Sequence, residues 1–208
     1  MRWIILLIAN DMKMQLKLRQ EINDIIGDRM ATHEDKKQCH FVNAFIAEAL
    51  RYRGVAPIGV PHKALVDYKL GIKLYIFYIY YLKNLIYFSD EYNILKNSIV
   101  FGNLFSISQN ENLFPNPDSF NPNRFLTPEG VFNSKLTGFA PFGIGRRICL
   151  GEKLALADLF LITVRILKST SDYLIQLPGG EGTADFEPNP EVIFLSVPKP
   201  YEILLKKL

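Results

Sequence analysis

The stretch Phe142–Gly151, FGIGRRICLG, carries the most specific pattern in this 208-residue chain. It places one cysteine in a loop with three glycines and two consecutive arginines. Its fixed positions fit the pattern F-x-x-G-x-R-x-C-x-G, which arises by chance in roughly one chain in ten thousand or fewer. A cysteine taken alone would more often be a buried structural residue. The surrounding loop is therefore what predicts a function for Cys149.

The segments around this loop predict how it is held. Downstream, the segment from about Leu150 to Lys168 predicts a helix, and Tyr173–Leu208 predicts short strands and hairpins between prolines. Upstream, Phe114–Leu126 (FPNPDSFNPNRFL) cannot be regular helix and predicts a meandering loop. Earlier still, Asp11–Gly27 and Gln38–Arg51 have apolar positions at helical spacing. The predicted fold class is mainly α with small β-sheets.

The cysteine loop resembles the haem-binding loop of the cytochrome P-450 family, the haem-thiolate monooxygenases. The resemblance implies haem (iron protoporphyrin IX) as the cofactor, with Cys149 as the axial ligand to iron. Cysteine suits this role because a thiolate ligand pushes electron density toward an O–O bond and favours its cleavage. A free cysteine titrates near about 8.5. We therefore expect the metal, the amino end of the following helix and the backbone N–H groups of the loop to keep Cys149 anionic.

The same resemblance implies roles for other residues toward the haem, and no catalytic side chain beyond it. Phe142 would shield the sulfur from water, and Arg147 would pair with a propionate. Glycines of the loop, Gly145 and Gly151 among them, would let the backbone approach the ring plane. His62 would hydrogen-bond a propionate. The alternative for His62 is a solvent-exposed strand residue.

Two further motifs resemble the family's structural core. Glu48-Ala49-Leu50-Arg51 is similar to its Glu-x-x-Arg pair, and Phe120–Phe125 (FNPNRF) resembles its F-x-P-x-R-F motif. The first motif alone is weak, because two charges three residues apart on a helix usually form a surface ion pair. In the family, the arginine of the second motif, here Arg124, joins the pair in a buried network under the haem loop. Many relatives have glutamate before this arginine, where this chain has Asn123. The expected structural triad is Glu48, Arg51 and Arg124.

Two short segments are expected to line a substrate pocket. In the family, the segment that follows the Glu-x-x-Arg helix, here Val55–Lys63, passes beside the haem. Near the carboxyl end, Glu191–Phe194 resembles the hairpin tip that enters the pocket from the other side. An apolar pocket implies a lipophilic substrate, such as a steroid, hormone, fatty acid or xenobiotic. The residues expected to contact it are Val55, Ala56, Ile58, Val192 and Ile193.

The resemblance covers residues 1–70 and 92–208 and corresponds to the carboxyl-terminal part of one P-450 domain. The threonine motif of the family's oxygen-activating helix has no counterpart here, so we expect a fragment or a truncated gene model. The block Gly71–Glu91 holds five of the ten tyrosines, and its residues tend to have A/T-rich codons. This composition predicts a foreign insertion at 72–91, as a retained intron would give. The alternative is a β-rich edge insertion, which would be prone to aggregation.

For an intact protein, the resemblance implies insertion of one atom of O₂ into a lipophilic substrate. An NADPH-dependent flavoprotein reductase would supply electrons at the cytosolic face of the endoplasmic reticulum. The truncated chain is expected to be inactive alone. Two alternatives stay open: a haem-thiolate isomerase or synthase, which needs no reductase, and a non-catalytic fragment.

Composition excludes several other classes of protein. With 49% hydrophobic and 22% charged residues the chain is neither disordered nor fibrous. A net charge of +3 does not argue for nucleic acid as a partner. Two cysteines cannot form a disulfide framework, which indicates a reducing compartment. The sequence has no apolar run of about 18 residues, so membrane association is expected only for a full-length protein.

Overall fold

The computed structural model describes residues 1–71, 77–79 and 91–208. The α-helices in this part of the chain are α1 (Arg2–Asn10), α2 (Met12–Ile26), α3 (His40–Tyr52), α4 (Leu104–Ser108) and α5 (Glu152–Ser169). Its strands are β1 (His62–Lys63), β2 (Tyr68–Gly71), β3 (Phe77–Ile79), β4 (Glu91–Ile94), β5 (Ile99–Gly102), β6 (Tyr173–Gln176) and β7 (Leu204–Lys207). Short 3₁₀ helices span His33–Lys37, Pro122–Phe125 and Gly145–Arg147. The predicted class, mainly α with small β-sheets, is confirmed. Among the described residues, none of the helices is both long and apolar enough to cross a bilayer.

Helix α2 begins and ends where the sequence predicts. The carboxylate of Asp11 accepts a hydrogen bond from the Met14 N–H at 2.8 Å, which satisfies one of the unpaired donors of the first turn. Gly27 ends the helix. The buried face of α2 carries Leu18 and Ile22, which pack in one core with α1, α3 and α5. Burial of this apolar stripe fixes α2 against the helix that carries the Glu-x-x-Arg motif.

Helix α3 lies at the centre of the core and starts at His40, two residues after the predicted start. Its N-cap residue, Cys39, offers no side-chain hydrogen bond to the first turn. The carboxylate of Glu21, on α2, takes that place, accepting the N–H groups of Phe41 at 2.7 Å and Val42 at 2.8 Å. A negative charge at a helix amino end is favourable. Helix α2 therefore caps α3 from the side.

The strands form three small antiparallel sheets, with orders β1-β5-β3, β2-β4 and β6-β7. The predicted short strands of the tail are present, but the regular pair joins β6 with β7 at the opposite end of the tail rather than two adjacent strands. Between them lies an isolated bridge from Pro188 to Pro198. The physical reason is the density of prolines, which lack the N–H that a strand ladder needs. The segment from Ile58 to Tyr68, which the sequence predicts to be an extended strand region punctuated by Pro61, is likewise mostly irregular between its short strand β1 and the start of β2.

Most of the block predicted to be foreign, 72–91, lies outside the described residues, which omit 72–76 and 80–90. The strands at its edges are described. Gly71 of β2 faces Glu91 of β4, and the preceding pair is Leu70 with Tyr92. The chain therefore leaves this sheet and returns to it at facing positions. The described residues Phe77–Ile79 pair with β5.

We predict that removal of residues 72–90, which is the predicted block without Glu91 of β4, leaves a folded protein with a higher soluble yield. The deletion makes Gly71-Glu91 a two-residue loop between the cross-strand partners Leu70 and Tyr92. Glycine at the first loop position suits a type II′ hairpin turn. Soluble yield and the midpoint of thermal unfolding are the measurements. Gly71→Val in the shortened chain is the matched control, and it should remove the gain. Unfolding of the shortened chain, with the full chain soluble, would contradict the foreign origin of the block.

Candidate functional site

Cys149 lies at the end of a loop that is closed by two backbone hydrogen bonds. Its N–H donates to the carbonyl of Phe142 at 2.9 Å, and the Ile148 N–H donates to the carbonyl of Gly145 at 3.2 Å. Gly143 and Gly145 have φ values of +79° and +74°, which residues with a side chain rarely adopt. The glycines that the sequence places here are thus required by the turn. These hydrogen bonds and turns fix the backbone that leads to Cys149.

The two cysteines lie in opposite environments. The thiol of Cys149 is exposed, whereas Cys39 is completely buried in the helical core. Burial raises the pKa of the Cys39 thiol to about 12, and the charges of Glu21 and Asp35 act in the same direction. Cys39 therefore stays a neutral thiol near pH 7, and a thiolate is what a metal binds. Of the two thiols, the exposed thiol of Cys149 is therefore the one that suits ligation of a metal.

Helix α5 begins directly after the cysteine. Gly151 is its N-cap residue, and the Glu152 N–H donates to the carbonyl of Cys149 at 3.3 Å. The helix is anchored in the core by Phe160 and Val164, both fully buried. The amino end of a helix carries a partial positive charge that stabilises a nearby anion. The fold thus places Cys149 directly before the amino end of α5.

The surface around Cys149 is open and apolar. Ile144 is 76% exposed, and Leu150 is fully exposed although both are large apolar side chains. A Cβ atom built at Gly143 or Gly145 would meet no atom within 4 Å. Haem is a large apolar disc with anionic propionates, and Arg147 is exposed on the same loop. An accessible thiol, open space, apolar neighbours and a cation together fit the expected haem.

Glu48 and Arg51 form a buried ion pair on α3. They are 0% and 2% exposed, and the Arg51 guanidinium binds the carboxylate with two hydrogen bonds, at 2.7 and 2.8 Å. The Arg124 Nε–H donates to Glu48 Oε1 at 3.3 Å, and the Asn121 N–H donates to the same oxygen at 2.8 Å. The structure therefore brings the three charged residues of the two motifs together. A bidentate pair of this kind has fixed geometry as well as favourable energy.

The two arginines also bind carbonyls at the end of α4 and in the proline-rich loop. Arg51 donates to the carbonyls of Ser108 at 2.8 Å and Pro117 at 2.9 Å. Arg124 donates to the carbonyl of Asn116 at 2.6 Å, and also to that of Pro115. Glu48 and Arg51 are thus buried with their hydrogen bonds made, as burial requires, and Arg124 is partly buried. The sequence could not name these acceptors, because a backbone carbonyl has no residue signature.

Asn123, the position that departs from the family motif, lies at the surface. Its N–H donates to the side chain of Asn121 at 3.1 Å, and Asn123 is exposed. The residue is therefore a surface member of the 3₁₀ turn that carries Arg124. The departure leaves the ion network intact.

The two segments expected to line a pocket lie side by side. The Ser196 N–H donates to the carbonyl of Val55 at 2.8 Å, which ties the two segments together. Val55, Ala56, Ile58 and Ile193 are exposed, and Val192 is partly buried. His62 is exposed on β1, opposite Val100 of β5. Contacts of these residues with substrate or haem stay predictions.

Comparison with known proteins gives a consistent result. The sequence model of the family described as Cytochrome P450 matches residues 1–76 and 81–205. The chain is 34% identical over 207 residues to cytochrome P450 2K6 of Danio rerio, covering 100% of this chain and 36% of that protein. It is 33% identical over 187 residues to the steroid 17-alpha-hydroxylase/17,20 lyase of Squalus acanthias, covering 89% and 32%. It is 32% identical over 196 residues to the Equus caballus protein of the same name, which covers 93% of this chain and 34% of that protein. The chain spans about a third of the length of these curated relatives.

Proposed function

Because the chain belongs to the cytochrome P450 family, we propose that it forms the thiolate side of the haem site of a monooxygenase. The observation that carries this proposal is the exposed thiol of Cys149, in a closed glycine loop at the amino end of α5. When bound, the haem would supply activation of O₂ and insertion of one oxygen atom into the substrate. The chain itself would supply the ligand, its orientation and its charge state.

Five further residues are proposed to form the cofactor site with Cys149: Phe142, Gly145, Arg147, Gly151 and His62. Arg147 and His62, both exposed, would pair with the propionates. Phe142 is partly buried behind the loop, where its ring would exclude water from the sulfur. Gly151 lies close to the sulfur, since a Cβ at that position would be 3.7 Å from Cys149 Sγ. A larger residue there would crowd the ligand atom.

The substrate is proposed to be lipophilic. Support comes from the apolar side chains on the two segments joined by the hydrogen bond between Val55 and Ser196. Two of the relatives are named as steroid hydroxylases, which favours a substrate of that size and polarity. As partners we propose O₂ and an NADPH-dependent flavoprotein reductase, with the whole protein at the endoplasmic reticulum membrane. Glu48, Arg51 and Arg124 are proposed to hold the fold rather than to take part in chemistry.

The test is a chimera in which this chain replaces the matching third of the Danio rerio cytochrome P450 2K6. We expect haem incorporation, a red-shifted carbon monoxide band and oxidation of lipophilic probe substrates that depends on reductase and NADPH. The chain alone, given haemin, reductase and NADPH, is expected to bind haem weakly and to give no turnover. Absence of the red-shifted band in a folded chimera would overturn the proposal. Turnover that does not require the reductase would favour a haem-thiolate isomerase or synthase instead.

A further inference from the structure

We infer that Gly138 and Phe139 are positioning residues that join the cysteine loop to the buried ion network. Their relevance to haem ligation rests on the proposed function, but the mechanical connection does not. Three sets of contacts carry the inference: an aromatic pair, a close approach at Gly138, and the short path from Phe139 to Cys149.

The aromatic pair links the ion network to the cysteine loop. Phe125 follows Arg124 directly and is completely buried against Ala44 and Ala47 of α3. Its ring meets the ring of Phe139 edge to face, with centroids 4.6 Å apart and an angle of 66° between the planes. This arrangement is a favoured geometry for aromatic rings and restricts both of them. Phe139 is therefore held by the residue next to the arginine of the triad.

Gly138 adds a second contact to the same region. Its φ is +85°, and a Cβ there would lie 2.7 Å from Leu113 Cδ1 and 3.4 Å from the ring of Phe114. The guanidinium carbon of Arg51 lies over the Phe114 ring, 5.4 Å from the ring centroid. The space that a side chain at Gly138 would need is thus occupied by Leu113 and by the aromatic ring that packs on Arg51. A side chain at this position would strain the backbone and displace Leu113.

The path from Phe139 to the thiol is short. The carbonyl of Phe142, three residues further, accepts the N–H of Cys149 at 2.9 Å. Phe139 also lines two cavities, one of about 30 Å³ beside Arg51 and one of about 360 Å³ beside Ile148. Unfilled space therefore adjoins this ring, and truncation of the ring would let the loop move into that space. A shift of Phe139 would therefore change the position of the Cys149 backbone.

The experiment compares two pairs of variants in the chain without haem. Gly138→Ala is matched by Gly130→Ala, because Gly130 has a φ of +81° but no atom within 4 Å of its added Cβ. Phe139→Leu is matched by Phe132→Leu, since Phe132 packs on the same small cluster. Two readouts are used: hydrogen exchange of the peptide 140–151, and the pH profile of alkylation at Cys149 by a small thiol reagent.

We expect Gly138→Ala and Phe139→Leu to raise the rate of hydrogen exchange at the Cys149 amide by about tenfold. Both variants should also shift the pH profile of alkylation at Cys149. Exchange within α3 should stay as in the unmodified chain, and so should all readouts in the two control variants. Equal effects in the test and control variants, or loosening that extends to α3, would overturn the inference. If Gly138→Ala does not fold, Phe139→Leu decides alone.

A second arm uses the chimera with haemin and carbon monoxide. Both test variants should lose part of the red-shifted band while the control variants keep it. If the unmodified chimera shows no such band, the proposed function fails, whereas the exchange data still decide the inference.

Discussion

Replacement of Arg51 by alanine is expected to destabilise the chain by about 3–5 kcal/mol, which is enough to prevent folding of many domains. The substitution leaves the Glu48 carboxylate, with 0% exposure, to the 3.3 Å contact from Arg124 and the N–H of Asn121 among the described residues. It also removes the donor to the carbonyls of Ser108 and Pro117. Urea denaturation followed by circular dichroism measures the loss.

The chain offers a matched control for this experiment. Lys37 and Glu34 form an ion pair with the same i, i+3 spacing, but their side chains are 74% and 71% exposed. Lys37→Ala should leave the unfolding midpoint unchanged, because exposed pairs contribute little. Arg51→Lys should be destabilising as well, since an ammonium group cannot reproduce the two parallel hydrogen bonds to Glu48. An Arg51→Ala protein that is folded and haem-loaded but slow would instead place Arg51 in the chemistry.

Replacement of Cys149 by serine is expected to abolish the red-shifted carbon monoxide band in the chimera. The serine hydroxyl does not ionise near neutral pH, so the iron would lose its anionic sulfur ligand. Cys39→Ser is the control, because Cys39 is buried and its thiol has a pKa raised to about 12. This variant should keep the band if it folds. Loss of the band in Cys39→Ser together with its survival in Cys149→Ser would contradict the assignment.

The parts of the structure that could be predicted from the sequence are those fixed by local chemistry. The Asp11 cap and the turn at Gly143 and Gly145 follow from residue types whose backbone preferences are strong. The triad was predictable because its three charges sit in recognisable motifs. Their meeting was implied by the resemblance of these motifs to those of the family, and the high cost of a buried charge without partners explains why all three are needed.

The parts that could not be predicted depend on contacts between distant segments. The pairing of β6 with β7 is decided by tertiary packing, and nothing within either strand encodes its partner. The edge-to-face contact of Phe125 with Phe139 leaves no pattern, since each ring alone fits any apolar core. The cap supplied by Glu21 is similar, because a glutamate on the polar face of a helix normally indicates a solvated surface.

That cap has a consequence for dissection of the protein. Glu21 closes the amino end of α3, and Arg19 from the same helix donates to the carbonyl of Leu167 near the end of α5. In return, Lys168 donates to the carbonyl of Gly27. Helix α3 carries Glu48 and Arg51, and helix α5 follows Cys149. One end of each helix is thus hydrogen-bonded by a side chain of α2, which is far from the cysteine loop in sequence. An excised segment that contains only the motifs would have frayed helix ends, so the site is indivisible from the first thirty residues.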